Sequence, residues 1–310
     1  MKRVMVAFVL CASVAQAQGA PVAQAQARTD EWMKKPVNAE TFATFRTFFT
    51  YDKKLPFDTK TLDTTAADGI SIEHLSFEST PGNKIFAKLY EPASQRGQKL
   101  KAIVMLHGGV ARGKDNIGVA ADFLAKAGWR VLAIDMPYFG ERRTDLLVSF
   151  TEAEKHEKLY NQEAAYLTWV TQVVKDAGRS IDFLVSERAA DPRRIALVGY
   201  SRGGQVGYIV GGAEPRFAAV ALMYAGHFDA KETGHLAAAC PANYAGRIAP
   251  RPLFLLNGTQ DADYFRDSQV EPLHRLAKNP KTILWVETGH VFPPEETRPV
   301  LAKWLNDAVK

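Results

Sequence analysis

Six short runs, LKAIVMLHGG (100–109), WRVLAIDMP (129–137), RIALVGYS (194–201), AAVALMYAG (218–226), PLFLLNG (252–258) and KTILWVET (281–288), are apolar almost without interruption. A strand with one wet face alternates apolar and polar residues, whereas a strand apolar at nearly every position must be covered on both faces. A parallel sheet sandwiched between helices meets that need. Helical patterns fall between or after the runs, at 117–128, 163–187, 266–278 and 298–310. Strands alternating with helices predict an α/β fold with right-handed crossovers. Ahead of them, ISIEHLSFEST and NKIFAKLYEP flank Pro81-Gly82 and read as an antiparallel hairpin. The expected architecture is a mostly parallel, eight-stranded sheet flanked by helices on both faces.

The first residues follow a different pattern. MKRVMVAFVLCASVAQA has a cationic start, an apolar run and an Ala15-Gln16-Ala17 cleavage pattern, so residues 1–17 read as a signal peptide of a secreted or periplasmic protein. The run is shorter than the roughly 20 residues of a membrane helix, so no integral membrane segment is expected after cleavage. Leu10 stands where a lipoprotein signal ending at Cys11 needs a small residue. Residues 18–37 read as a flexible leader and 38–70 as an N-terminal helical extension, with Asn38 as N-cap and Phe42, Phe45, Phe48 and Phe49 on a core-facing side. Residues 71–310 form the main domain. After cleavage Cys240 is the remaining cysteine, which leaves no intramolecular disulfide. Loss of Lys2 and Arg3 takes the net charge from +5 to +3, and no basic run is present, which excludes nucleic acid as a partner.

The chemistry centres on GYSRGG, residues 199–204. A G-x-S-x-G match arises by accident in roughly one chain in ten of this length. Its setting is more specific: a strand precedes Ser201 and a plausible helix, QVGYIVGG, follows, which is the context of a nucleophile elbow. A serine hydroxyl needs a base held by a third group. His290 in ETGHVFP and Asp261 in GTQDADY both follow strands, with Asp263 as the rival acid. For the oxyanion, the Arg202 amide follows the nucleophile, and HGG at 107–109 offers a second donor from Gly109 or, as the alternative, Val110. His107 is expected to shape that loop.

Segments 139–162 and 227–250 are longer than plain crossovers and emerge where ligands bind in open α/β sheets, so they are candidate caps. Leu146, Leu147, Val148 and Phe150 lie in the first of these; they either face an apolar acyl group or pack on the body. Val110, Tyr138, Tyr200 and His227 are the candidate substrate contacts, and His235 is a further pocket candidate. His74, His156 and His274 read as structural. No H-x-x-x-H or similar spacing points to a metal site.

HGG, GYSRGG, GTQD and GH, in that order and each after an apparent strand, resemble the α/β-hydrolase superfamily over nearly all of residues 70–310. IDFLVSERAADPRRIALVGYSRGG and IAPRPLFLLNGTQD are similar to its group of dienelactone hydrolases, acetyl xylan esterases and prolyl-oligopeptidase-like proteins. The resemblance implies an α/β-hydrolase fold and cofactor-free hydrolysis through an acyl-enzyme on a Ser201–His290–Asp261 triad. Carboxylic esters, as small molecules or on carbohydrate, are the implied substrates. Ser201 stands where the group's dienelactone hydrolases carry cysteine, and Asp135 matches an aspartate expected to anchor a turn. A prolyl-oligopeptidase-like peptidase is the alternative, and a non-catalytic ligand-binding protein of the same fold is a third reading.

Overall fold

The computed structural model describes residues 30–229 and 231–310, so the expected signal peptide and the leader up to residue 29 lie outside the described residues. Among the described residues nine strands build one sheet: β1 (Lys60–Ala67), β2 (Ile70–Thr80), β3 (Asn83–Pro92), β4 (Leu100–Leu106), β5 (Arg130–Ile134), β6 (Ala190–Tyr200), β7 (Ala219–Met223), β8 (Leu253–Gly258) and β9 (Lys281–Val286). Their order is β1-β2-β3-β5-β4-β6-β7-β8-β9. β1, β2, β3 and β5 pair antiparallel in turn, and every pairing from β5 through β4 to β9 is parallel. The sheet therefore has one strand more than the eight expected. The extra strand is β1, inside the segment read as a helical extension, where the helix α1 spans only Ala39–Thr47. KTLDTTAA is exposed at every position, so burial left no periodic mark on its sequence.

Residues 30–37 also differ from a free leader. Residues 30–34 form a helical turn, the Val37 N–H donates to Asn243 Oδ1 at 3.0 Å, and Arg247 Nη2 donates to the Val37 carbonyl at 2.6 Å. Asn38 caps α1 by accepting the Thr41 N–H. Of the aromatic side, Phe49 is buried and Phe42 and Phe45 pack on the core, whereas Phe48 is exposed.

Alternation explains the apolar runs. Val104, Leu106, Leu132, Ile134, Leu197 and Leu222 point to one side of the sheet, where they meet α3 (Glu163–Glu187) and α4 (Arg202–Ala213). Ile103, Met105, Val131, Ala133, Val198 and Ala221 point to the other, against α2 (Gly118–Lys126) and α5 (Thr297–Ala308). Each fully buried Leu or Val contributes roughly 1.5–3 kcal/mol relative to exposure. Because β4, β6, β7, β8 and β9 run parallel, their carboxyl ends share one edge of the sheet. β9 is the terminal strand there, paired among the described residues only with β8 and half exposed along its length. No helix among the described residues is long and apolar enough to cross a membrane.

Candidate active site

At the carboxyl end of β6 the chain must reverse into α4 within one residue. Ser201 makes that reversal with φ 53°, a conformation L residues rarely adopt, and its N–H donates to the Met223 carbonyl at 2.8 Å. The turn closes because Gly199 has no side chain: a Cβ there would collide with the Gly203 carbonyl. Strand and helix thereby approach closely, and Ser201 Oγ stands at the sheet edge.

His290, four residues beyond β9, places Nε2 2.8 Å from Ser201 Oγ. Its Nδ1 lies 2.9 Å from Asp261 Oδ2, so the carboxylate fixes the proton on Nδ1 and leaves Nε2 to accept from the serine hydroxyl. The other Asp261 oxygen accepts the Asp263 and Tyr264 N–H groups, both at 2.9 Å. The rival Asp263 lies on the Nε2 side at 3.9 Å with its side chain about half exposed, so it is Asp261 that pairs with Nδ1.

The HGG loop sits opposite. His107 is buried; its Nδ1 donates to the Gly108 carbonyl at 2.6 Å while Nε2 accepts the Met136 N–H at 3.0 Å. Burial lowers its pKa, which keeps the ring neutral and structural. The Val110 N–H donates to the Gly108 carbonyl at 2.8 Å. A Cβ built on Gly109 would fall 3.5 Å from Arg202 Cβ, so the two face each other. Arg202 opens α4, where N–H groups have no partner within the helix and the dipole favours negative charge. Asp135 accepts from the Lys114 backbone N–H, Lys114 Nζ and the Glu141 N–H, and so ties down the turn after β5.

A cleft of about 310 Å³ lies over Ser201, lined by Gly109, Val110, Asn116, Tyr200, Tyr264 and Phe292 together with charged groups from the two long connections. Segment 139–162 contributes Glu152, Lys155 and Tyr160; segment 227–250 contributes Asp229 and Lys231. Lys155 is buried, and its Nζ donates to the Gly109 carbonyl at 2.6 Å and to Glu152 at 2.5 Å. Leu146, Leu147, Val148 and Phe150 do not line the cleft: Leu147 is in the core, Leu146 and Phe150 pack on it, and Val148 is exposed.

The Arg202 side chain joins both connections to the elbow. Its guanidinium donates to Asp229 at 2.7 Å and to Glu232 at 2.6 Å, and stacks 3.7 Å from the Tyr160 ring centroid. Asp229 also binds His156 Nε2 at 2.9 Å. Burial opposes ionisation of Asp229, but the His156 hydrogen bond and the Arg202 charge outweigh it and hold the carboxyl below its usual range. Glu232, deeper, is pushed up by burial.

Of the candidate contacts, Val110 and Tyr200 line the cleft; Tyr138 and His227 do not. Tyr138 is half-buried, with φ 73°, and packs against the core. His227 is buried with Nε2 3.1 Å from Cys240 Sγ, and burial pushes its pKa to about 3. His235 is buried as well; its Nε2 donates to the Tyr160 carbonyl at 2.8 Å. No motif or period in the sequence singles out Lys155, Tyr160 or Asp229. One signal pointed toward them: an arginine inside a buried elbow demands carboxylate partners, and FDAKE follows the next strand.

The sequence pattern of the dienelactone hydrolase family matches residues 85–298. No curated protein sequence matches the chain. The fold is shared with acetyl xylan esterase 1 from Thermoanaerobacterium sp. JW/SL YS485, at 16% identity and TM-score 0.69 over 92% of this chain and 98% of that one. An acetyl xylan esterase from Paenibacillus sp. R4 is similar at 17% identity and TM-score 0.69, covering 91% and 98%. A cold-adapted esterase from an Arctic intertidal metagenomic library is similar at 20% identity and TM-score 0.62, covering 80% and 98%.

Proposed function

The chain belongs to the dienelactone hydrolase family, and from that premise we propose that it is a serine hydrolase that cleaves carboxylic esters through an acyl-enzyme. The observation that carries the reading is the continuous hydrogen-bond chain Ser201–His290–Asp261. Ser201 Oγ attacks the ester carbonyl as its proton moves to His290 Nε2, and the carbonyl electron pair passes onto oxygen, facing the Gly109 and Arg202 amides. Collapse breaks the bond to the alkoxy oxygen, which takes the proton from His290 and leaves as the alcohol. Water then repeats the sequence on the acyl-enzyme and releases the acid. Asp261 steadies the imidazolium in both halves.

The polar, charged lining of the cleft favours a short acyl group on a hydroxylated alcohol over a long aliphatic chain, and two of the structures sharing the fold are acetyl xylan esterases. The N-terminal pattern supports export from the cytoplasm. A fluorophosphonate should add covalently at Ser201 and block hydrolysis of acetyl esters, with Ser201→Ala folded, unlabelled and inactive. Unlabelled wild-type protein that hydrolyses none of a panel of acyl lengths and acetylated sugars would overturn the reading.

A further inference from the structure

Tyr160 is not part of the triad or of the backbone donors, yet it lines the same cleft, with its hydroxyl beside Gly109. The residue is 1% exposed, and its Oη has no hydrogen-bond partner among the described residues. Leaving such a group buried and unpaired costs about 1–3 kcal/mol, so other buried tyrosines pair: Tyr166 with Gln205 and Tyr244 with the Ala238 carbonyl. Tyr208 shares the unpaired state but lies in the core, away from the cleft. Tyr160 lines the cleft, and its Oη lies 2.8 Å from where a Gly109 Cβ would be, the same point that is 3.5 Å from Arg202 Cβ. The hydroxyl thus borders Gly109, with Arg202 on the other side of the same point, and these are the two residues whose amides are the proposed oxyanion donors. Lys155 Nζ is nearby but already donates to Gly109 and Glu152.

The ring is held rigidly. Tyr160 ends a π-helical turn, His156–Tyr160, a wider turn that recurs at functional sites. The Arg202 guanidinium covers one face, His156 meets the ring edge-on at 5.3 Å, and His235 holds its carbonyl. Burial raises the phenol pKa far above neutrality, so the group is a donor at any working pH.

We propose that the Tyr160 hydroxyl is a third donor to the carbonyl oxygen of the substrate as it becomes an oxyanion. The proposal rests on the acyl-enzyme reading above. No proton leaves Oη: the hydroxyl donates a hydrogen bond to the oxygen that receives the carbonyl electron pair, and releases it when the pair returns. A fixed donor aimed at developing charge acts on kcat more than on KM.

The test compares an ester with its thionoester, whose sulfur accepts hydrogen bonds poorly, in wild type and Tyr160→Phe. The expected result is a fall in kcat of about 10²-fold on the oxo ester, with KM little changed and a smaller oxo-to-thiono rate ratio. A structural role would lower both rates alike and leave the ratio unchanged; that outcome, or a wild-type kcat in Tyr160→Phe, overturns the proposal. If the variant does not fold, 3-fluorotyrosine at position 160 keeps the ring and acidifies the donor, and the ratio must then rise. Wild-type protein without esterase activity or Ser201 labelling overturns the acyl-enzyme reading itself, whereas an active wild type with an unmoved ratio overturns the tyrosine proposal alone.

Discussion

Replacing Asp261 by Asn changes one atom and should trap the base in the wrong tautomer. Asp261 Oδ1 accepts two backbone N–H groups, from Asp263 and Tyr264. An asparagine must keep its carbonyl oxygen there, because an NH2 group would face two donors. Its NH2 then points at His290 Nδ1, which can only accept. The imidazole proton is forced onto Nε2, 2.8 Å from Ser201 Oγ, where it can no longer receive the serine proton. The same swap in a Ser-His-Asp protease lowers kcat by about 10⁴, equivalent to about 5 kcal/mol of transition-state stabilisation. Asp263→Asn removes a half-exposed carboxylate 3.9 Å from Nε2. Such a charge is worth less than about 1 kcal/mol, or about fivefold in rate. The assay is kcat/KM on an acetyl ester for both variants, with thermal melting as the control for folding. Should Asp261→Asn keep more than about a tenth of wild-type activity, or Asp263→Asn prove the more damaging, the tautomer argument fails.

Arg202→Lys keeps a cation but loses the two-carboxylate fork and the stack on Tyr160, so stability should fall by roughly 2 kcal/mol, read as a drop of several degrees in Tm. An unchanged melting curve would mean that the buried network does not hold the long connections. Acid should destabilise the fold below neutrality through His227 and His274, both held near pKa 3 by burial. The unfolded chain protonates them from about pH 6.5 downward while the native state does not, so their contribution is full above pH 6.5 and falls by about 2 kcal/mol each by pH 5. His156 acts in the opposite sense: burial works against its charge, but Asp229 raises its pKa overall, so its stabilisation is present below pH 6.5 and fades as pH rises through the folded value. Urea unfolding at pH 5 and pH 7.5 checks this, and His274→Leu should flatten the acid limb; a limb as steep as wild type would refute the assignment.

How much was legible follows from which physical constraint reached the sequence. β4 to β8 were readable because two-sided burial writes apolar residues at successive positions, as in Val104 and Met105 facing opposite cores, whereas the apolar run of β9 belongs to an edge strand that is only partly covered. β1 was not, since a strand exposed throughout is constrained mainly by backbone pairing, which any residue but proline satisfies. Ser201, Asp261 and His290 were readable because parallel strands deliver their ends to one edge. Tyr138 and His227 follow strands too, but position after a strand does not fix side-chain direction, and both turn inward. Lys155, Tyr160 and Asp229 ride on connections whose path is set by the buried Arg202 pairing and by a π-helical turn, neither of which has a period to detect.

β9 carries a consequence for how the protein wears out. The proposed base hangs from the end of a strand with one neighbour and incomplete cover, while Ser201 sits on the deeply buried β6. Local opening is easiest where few apolar contacts must be given up. Fraying of the outermost strand would withdraw His290 from Ser201 while the rest of the sheet stays native. Heat should therefore silence the molecule before it melts it, leaving an intact but idle serine that recovers on cooling.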